Sequence, residues 1–327
     1  MPLTSGLLDR RGLVWLAPEL GRDQIRWDKP GAGAGLPGVP FRRGAIMTRD
    51  VLSFAGLLAV VLCAGACDGA TTVAEEEMAS LEPVEGGVWD SVADMRVFFA
   101  HQSVGANIVQ GVVDLGADER GHVLTVTRAA DELAIVGPGI YETPVGRNGD
   151  GRSKIDHFAR LLDSGIGSKV DVAFMKLCYV DIDEHTDVSA LFDHYRTTLD
   201  GLAERHPGVK FLHVTTPLQG PPPGFVTGLK QIVKRMMGRG GKGAARNAAR
   251  ETYNDLMRGA YGGRGTLFDL AWIESTSPRG TATTLPYDGR RVRCLAAEYT
   301  DDGGHLNARG RRVVARKLIL ALAQSAS

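Results

Sequence analysis

Residues 96–113 read RVFFAHQSVGANIVQGVV, and the change of period inside this stretch decides the fold. Arg96–Ala100 is an apolar run without alternation, the pattern of a strand covered on both faces. Past His101-Gln102-Ser103 the apolar residues recur at helical spacing, so that Ile108, Val109, Val112 and Val113 share one side of a helix over Val104–Leu115. A buried strand that turns within three residues into an amphipathic helix is the first half of a βαβ unit.

The same alternation continues downstream. Strands are expected at Val123–Thr127, Val170–Leu177, Val209–Val214 and Thr266–Leu270. Helices are expected at Ser153–Leu162, capped by Ser153, at Val188–Arg205, stopped by Pro207, and at Ala244–Tyr261 and Asn307–Gln324. Five strands alternating with five helices predict a three-layer α/β/α fold on a five-stranded parallel, flavodoxin-like sheet. Pro221-Pro222-Pro223-Gly224 marks a long loop and residues 238–243 (GRGGKG) a mobile one. No internal repeat is present.

Composition agrees with a globular chain. The 327 residues carry 38 basic and 38 acidic side chains, and 43% are hydrophobic. This excludes a polytopic membrane protein, a coiled coil and a wholly disordered chain. The balanced charge excludes a dedicated nucleic-acid binder, which needs a basic excess.

The first 87 residues read as appendages. Val51–Ala66 is a run of sixteen residues without a charge, preceded by Met47-Thr48-Arg49 and ending in Ala64-Gly65-Ala66-Cys67. It is short for a spanning helix, which needs about 20 residues. Small residues before a cysteine at the end of such a run resemble a bacterial lipobox. That implies a signal peptide over 47–66, cleaved before a lipidated Cys67, and a polar tether to residue 87. A plain secretory signal and a buried helix remain open. Residues 1–46, rich in Gly, Pro and Arg, are expected to be an upstream mis-start, disordered and outside the fold. Residues 68–327 hold 30 basic and 33 acidic residues, a net of about −3 that offers nothing to a polyanion. Cys63 and Cys67 fall in the signal, so Cys178 and Cys294 alone remain for the domain, with no C-x-x-C pair and their redox state open.

In open parallel sheets ligands bind beyond the carboxyl ends of the strands. Two such loops carry chemistry. Ser103 sits between the first strand and its helix, where a hydroxyl and a helix N-terminus meet, although Ser is equally a favoured helix cap. Asp302 and His305, three apart on a Gly-rich turn, suit a carboxylate that holds one imidazole nitrogen while the other faces outward. Each signal alone also fits a capped turn.

Together, the two motifs make residues 95–324 resemble the SGNH (GDSL-like) hydrolase superfamily. The resemblance implies Ser103 as nucleophile, Asp302 as orienting acid and His305 as base of an esterase that needs no cofactor and no metal. It implies an oxyanion hole formed by the N–H of Ser103 and that of Gly149, with Asn148 adjacent. The family's G-D-S is here His101-Gln102-Ser103, and its G-x-N-D is Cys178-Tyr179-Val180-Asp181. Val180 offers no side-chain donor; Asn148, His101 or a backbone N–H near Cys178 can replace it, or the enzyme is slow or inactive. The form H-Q-S-V-G-x-N-I resembles a divergent branch in which the Asn block is also altered.

The remaining clusters have plainer readings. Asp181, Asp183, Glu184, His185 and Asp187 can offer oxygens to a hard cation, but read better as a solvated loop with Asp187 capping the next helix. Lys230, Lys234, Arg235, Arg239, Lys242, Arg246 and Arg250 read as a solvated or lid-like insertion. His101, Tyr179 and Trp272 are candidate substrate contacts. Trp272, Glu274 and Tyr287, in the long loop after the fifth strand, are expected to line a substrate cleft, although a Trp there fits packing nearly as well. The function expected is a serine esterase of the bacterial cell envelope, facing periplasm or exterior. Its substrate would be a small-molecule or glycan ester, and a lipid anchor would hold it on the membrane. The alternatives are a non-catalytic glycan- or protein-binding lipoprotein of the same fold and a metal-dependent hydrolase.

Overall fold

The computed structural model describes residues 83–119, 121–221 and 241–326. The expected mis-start, signal peptide, Cys67 and most of the tether lie outside the described residues, as do Lys230, Lys234, Arg235 and Arg239.

Strand β1 (Arg96–His101) is the middle of the sheet because every residue after Arg96 is buried. Its side chains alternate between two cores. Val97 and Phe99 enter one face, while Phe98 and Ala100 enter the other. Strand β4 (Val172–Met175) does the same, with Val172 and Phe174 opposite Ala173 and Met175. This double burial is what the continuous apolar runs encode.

The first core is closed by α1 (Gly86–Ala93), α2 (Val104–Asp118) and α7 (Ala308–Ala326), through Trp89, Ile108, Val112, Leu115, Val314, Leu318 and Ile319. The second is closed by α3 (Gly151–Asp163), α4 (Val188–Arg205) and α5 (Lys242–Tyr261), through Ile155, Phe158, Leu191, Leu202, Tyr253 and Met257. Each such side chain, fully buried, contributes about 1.5–3 kcal/mol. Helices α2 and α7 touch closely at Gly111, where a Cβ would lie 2.5 Å from the carbonyl oxygen of Arg311.

With β2 (Val126–Arg128), β3 (Gly139–Pro144) and β5 (Lys210–Phe211), five strands form an all-parallel sheet in the order β2-β3-β1-β4-β5. Strand β3 lies between β1 and the edge strand β2. Sequence reading passed over β3, because Pro138, Gly139 and Pro144 punctuate it and Glu142 interrupts its apolar pattern. The expected strand Val209–Val214 is split at Leu212 into β5 (Lys210–Phe211) and β6 (His213–Val214). Strand β6 pairs in parallel with β7 (Leu267–Phe268), which realises the expected Thr266–Leu270. After the short helix α6 (Leu270–Ser275), strands β8 (Thr284–Tyr287) and β9 (Arg290–Arg293) add an antiparallel hairpin.

Two local expectations change. Helix α3 begins earlier than Ser153 and is capped by Asp150, whose Oδ1 accepts the Ser153 N–H at 2.9 Å. The packed chain also begins before residue 88. Val84 is buried, and its N–H and the Trp89 indole N–H both donate to Glu119 Oε2, at 3.0 and 3.2 Å. Glu119 is in turn paired with Arg316 of α7. Asp187 does cap α4, its Oδ1 accepting from Ala190 N–H at 3.0 Å.

Candidate active site

At the end of β1 the chain must turn sharply to enter α2. Ser103 absorbs the turn with φ +52° and ψ −110°, a conformation that is uncommon outside glycine and costs about 1–3 kcal/mol. Its side chain makes no cap bond to the helix, so the capping reading of this serine does not hold. The hydroxyl turns instead to His305, with Oγ 2.7 Å from Nε2. On the other side of the ring, His305 Nδ1 lies 2.7 Å from Asp302 Oδ2. Asp302 Oδ1 accepts the backbone N–H groups of His305 and Gly304 at 2.7 and 2.8 Å. The His305 N–H first, and then the ring and Gly304, hold this carboxyl well below the usual carboxylate range. An ionised acceptor facing Nδ1 assigns the proton to Nδ1 and leaves the Nε2 lone pair facing the Ser103 hydroxyl. The site is open, with His305 and Asp302 side chains 45% and 56% exposed.

Several contacts fix this alignment over 202 residues of sequence separation. Asn107, in the first turn of α2, accepts the Leu306 N–H at 3.2 Å, tying the serine's helix to the histidine's loop. The Gly220 N–H donates to the Gly303 carbonyl at 2.8 Å. Tyr179 stands edge-on to His305, ring centroids 6.2 Å apart. Burial first, and then the Asp302 charge, push its hydroxyl above the ordinary tyrosine range.

The H-Q-S-V-G stretch has a packing logic. His101 is 4% exposed, lies against Phe99 at 4.4 Å between centroids, and has Nε2 3.1 Å from Glu142 Oε2. Burial pulls its imidazole below the ordinary histidine range, with Glu142 opposing. Gly105 sits directly over this ring, since a Cβ there would fall 2.3 Å from His101 Cγ. His101 is therefore a floor under the nucleophile's helix, not the substrate contact expected for it. Gln102 reaches sideways, its Nε2 donating to the carbonyls of Val145 and Gly146 at 2.7 and 2.8 Å.

The loop bearing Asn148 and Gly149 follows β3 rather than the second expected strand. Asp181 is the hub between this loop and the one after β4. Its Oδ2 accepts the Cys178 N–H at 2.6 Å and the Lys154 ammonium at 2.7 Å, and its Oδ1 accepts the Gly149 N–H at 2.8 Å. The expectation of Gly149 as an oxyanion donor is thereby corrected, because its N–H already serves a carboxylate. The backbone N–H of Cys178 is taken in the same way. Val180 is 46% exposed and presents no donor.

The rest of the acidic loop is occupied internally. Asp183 accepts from His185 N–H and the Thr186 hydroxyl, both at 3.0 Å, and Glu184 pairs with Arg246 at 3.0 Å. Among the described residues no group of three or more His, Cys, Asp or Glu side chains is placed to hold a metal ion. Arg250 departs from its expectation as a solvated charge. It is buried, with Nε donating to the Tyr179 carbonyl at 2.8 Å and its other nitrogens to Asn247 and Gln219. Trp272 is exposed and covered by the Arg293 guanidinium at 3.8 Å. Glu274 is buried, not cleft-lining; it accepts the Leu218 N–H, and burial pushes its carboxyl up to about 8. Cys178 and Cys294 are both buried and unbridged.

Sequence reading missed Lys154, Gln102, Asn107 and Arg250 as site-building residues. Lys154 had a visible signal, since it lies four residues before Phe158 and eight before Leu162, on the apolar face of its helix.

No family model matches the chain, and no curated protein matches it. Solved structures do resemble it. One is a provisionally named platelet activating factor from Streptococcus pneumonia, with 16% identity, TM-score 0.41, and 77% of this chain and 99% of that one covered. Another is a provisionally named lipolytic protein of the G-D-S-L family from Desulfitobacterium hafniense, with 7% identity, TM-score 0.36, and coverage of 69% and 99%. A third is a peptidoglycan O-acetylesterase, with 10% identity, TM-score 0.38, and coverage of 75% and 94%. Likenesses this remote carry no argument about chemistry. That argument rests on the site itself. No helix among the described residues is long and apolar enough to cross a membrane.

Proposed function

We propose that the chain is a serine esterase of SGNH type, acting at the cell envelope on carboxylic esters. One observation carries the reading: Ser103 Oγ lies 2.7 Å from His305 Nε2 while Asp302 holds the far side of the same ring. In this mechanism His305 takes the Ser103 proton as Oγ bonds to the ester carbonyl carbon. The resulting oxyanion is held by the Ser103 N–H at the N-terminus of α2 and by a donor from the loop after β3. His305 then protonates the leaving alcohol, and the C–O bond breaks to give an acyl-enzyme. A water molecule, deprotonated by His305, attacks that acyl carbon and releases the acid and free Ser103. Asp302 orients the imidazole and balances its positive charge throughout. Tyr179, edge-on to His305, is the candidate substrate contact beside the imidazole.

The openness of the site suits an ester carried on a larger molecule, and O-acyl groups on a carbohydrate are the class to test first. Cys67, as a lipidated residue, would keep the enzyme on the membrane. Hydrolysis of p-nitrophenyl acetate by the wild type, Ser103→Ala and His305→Ala tests the reading; equal rates for all three would refute it. The second reading, a non-catalytic glycan- or protein-binding lipoprotein, is favoured by the exposed Val180 where a donor is expected, and equal rates would select it.

A further inference from the structure

The loop after β3 makes a tight turn at residues 147–150. The Asp150 N–H donates to the Arg147 carbonyl at 3.2 Å, and Gly149 takes φ +83°. Those values put Gly149 at the third position of the turn, where positive φ is required, and Asn148 just before it at the tip. The turn is held against the nucleophile by Gln102, the residue before Ser103, through its two bonds to Val145 and Gly146. Beneath it stands Lys154, which is 0% exposed. The Lys154 ammonium donates to Asp181 Oδ2 at 2.7 Å and to Asn148 Oδ1 at 2.9 Å.

That last contact determines which way the Asn148 amide faces. An ammonium has three donors and no acceptor, so only the amide oxygen can meet it. The Asn148 NH2 group must then point away from Lys154, outward from the buried pair. Asn148 itself is exposed, and among the described residues its NH2 has no acceptor. The competing donors of this region are already used: the Gly149 and Cys178 N–H groups both end on Asp181.

We propose that the Asn148 side-chain amide is the oxyanion donor that stands in for the asparagine absent at Val180, and that Lys154 is the positioning residue that fixes its orientation. The assignment rests on the esterase reading. It gives the buried Lys154–Asp181 pair a purpose. One carboxylate gathers the two loops, and one ammonium sets the amide, so the donor is oriented before substrate arrives. Such preorganised donors act only on charge that develops in the transition state, and therefore on kcat more than on KM.

The test compares p-nitrophenyl acetate kinetics and thermal melting of the wild type with Ser103→Ala, Asn148→Ala, Asn148→Asp and Lys154→Gln. Asn148→Asp is decisive because it keeps the size and the contact to Lys154 but replaces the donor with an acceptor. Both Asn148 variants should lose about 10²–10³ in kcat, with KM within about twofold and unchanged melting. Lys154→Gln should lower kcat in the same sense, with no further fall when Asn148→Ala is added. Wild-type kcat in Asn148→Asp, while Ser103→Ala is inactive, overturns the assignment and leaves the esterase reading standing. Additive losses for Lys154→Gln and Asn148→Ala remove the positioning role. A wild type no faster than Ser103→Ala overturns the esterase reading, and the assignment with it.

Discussion

Gly105→Ala is the most informative small change in this molecule. The new Cβ would fall 2.3 Å from His101 Cγ and 2.4 Å from its Cβ, against about 3.4 Å for an ordinary contact. The ring has little room to retreat, because Phe99 lies 4.4 Å away between centroids and Glu142 Oε2 is 3.1 Å from Nε2. The start of α2 must therefore lift by about 1 Å, and Ser103 begins that turn. If the lift adds to the 2.7 Å between Oγ and His305 Nε2, the two atoms leave hydrogen-bond range. A misplacement of that size costs about 10² in rate. Stability changes less, because overpacking of about 1–3 kcal/mol is offset by about 1 kcal/mol from replacing a helical glycine. The assay is kcat/KM on p-nitrophenyl acetate beside urea unfolding, for Gly105→Ala, His101→Ala and the double variant. In the double variant the shortened residue 101 makes room, so the two unfolding losses should fall short of additivity by more than about 1 kcal/mol. Wild-type rate and stability in Gly105→Ala, or strictly additive losses, would refute the packing argument.

Ser103→Gly relieves the positive φ while removing the hydroxyl, so it should raise stability by about 1 kcal/mol and abolish turnover; a melt no higher than that of Ser103→Ala would show that the turn is not strained. Glu274 has a folded pKa near 8, above its ordinary value, because burial favours the neutral form. The native state then binds the extra proton, and stability should fall as pH rises from about 5 through 8. In Glu274→Gln that fall should flatten in thermal melts across the window, and an unchanged pH slope would count against the burial account. Cys67→Ser should release the protein from membranes in cell fractionation, whereas unchanged retention would contradict lipidation.

What could be read in the sequence follows from range. The β1–α2 stretch was legible because its signal is local: double burial on one side of Ser103 and a 3.6-residue period on the other. The D-x-x-H turn was legible for the same reason, although it follows the antiparallel β8–β9 hairpin rather than a strand of the parallel sheet, and the contact between Asn107 and Leu306 ties it to the serine's helix. Strand β3 was hidden by its own prolines and glycine, and with it the true place of the Asn148 loop. The hub at Asp181 was hidden because its partners Lys154 and Gly149 are brought to it by tertiary packing, and an acidic run looks alike whether its first carboxylate faces solvent or a buried ammonium. Arg250 was misread for that reason too, as one charge in a basic stretch rather than a buried clamp between two loops, at Tyr179 and at Gln219.

The clasp at Glu119 has a mechanical consequence. Helix α2 runs 15 residues from Ser103 to its far end, about 22 Å, and there Glu119 grips Val84 and Trp89. A pull on Val84 is therefore received at the end of α2 remote from Ser103, where α1 and α7 pack against it. The Ser103 hydroxyl stands at the other end of that helix, so a tug on the clasp must travel the length of α2, or along α7 from Arg316, before it disturbs the 2.7 Å contact with His305.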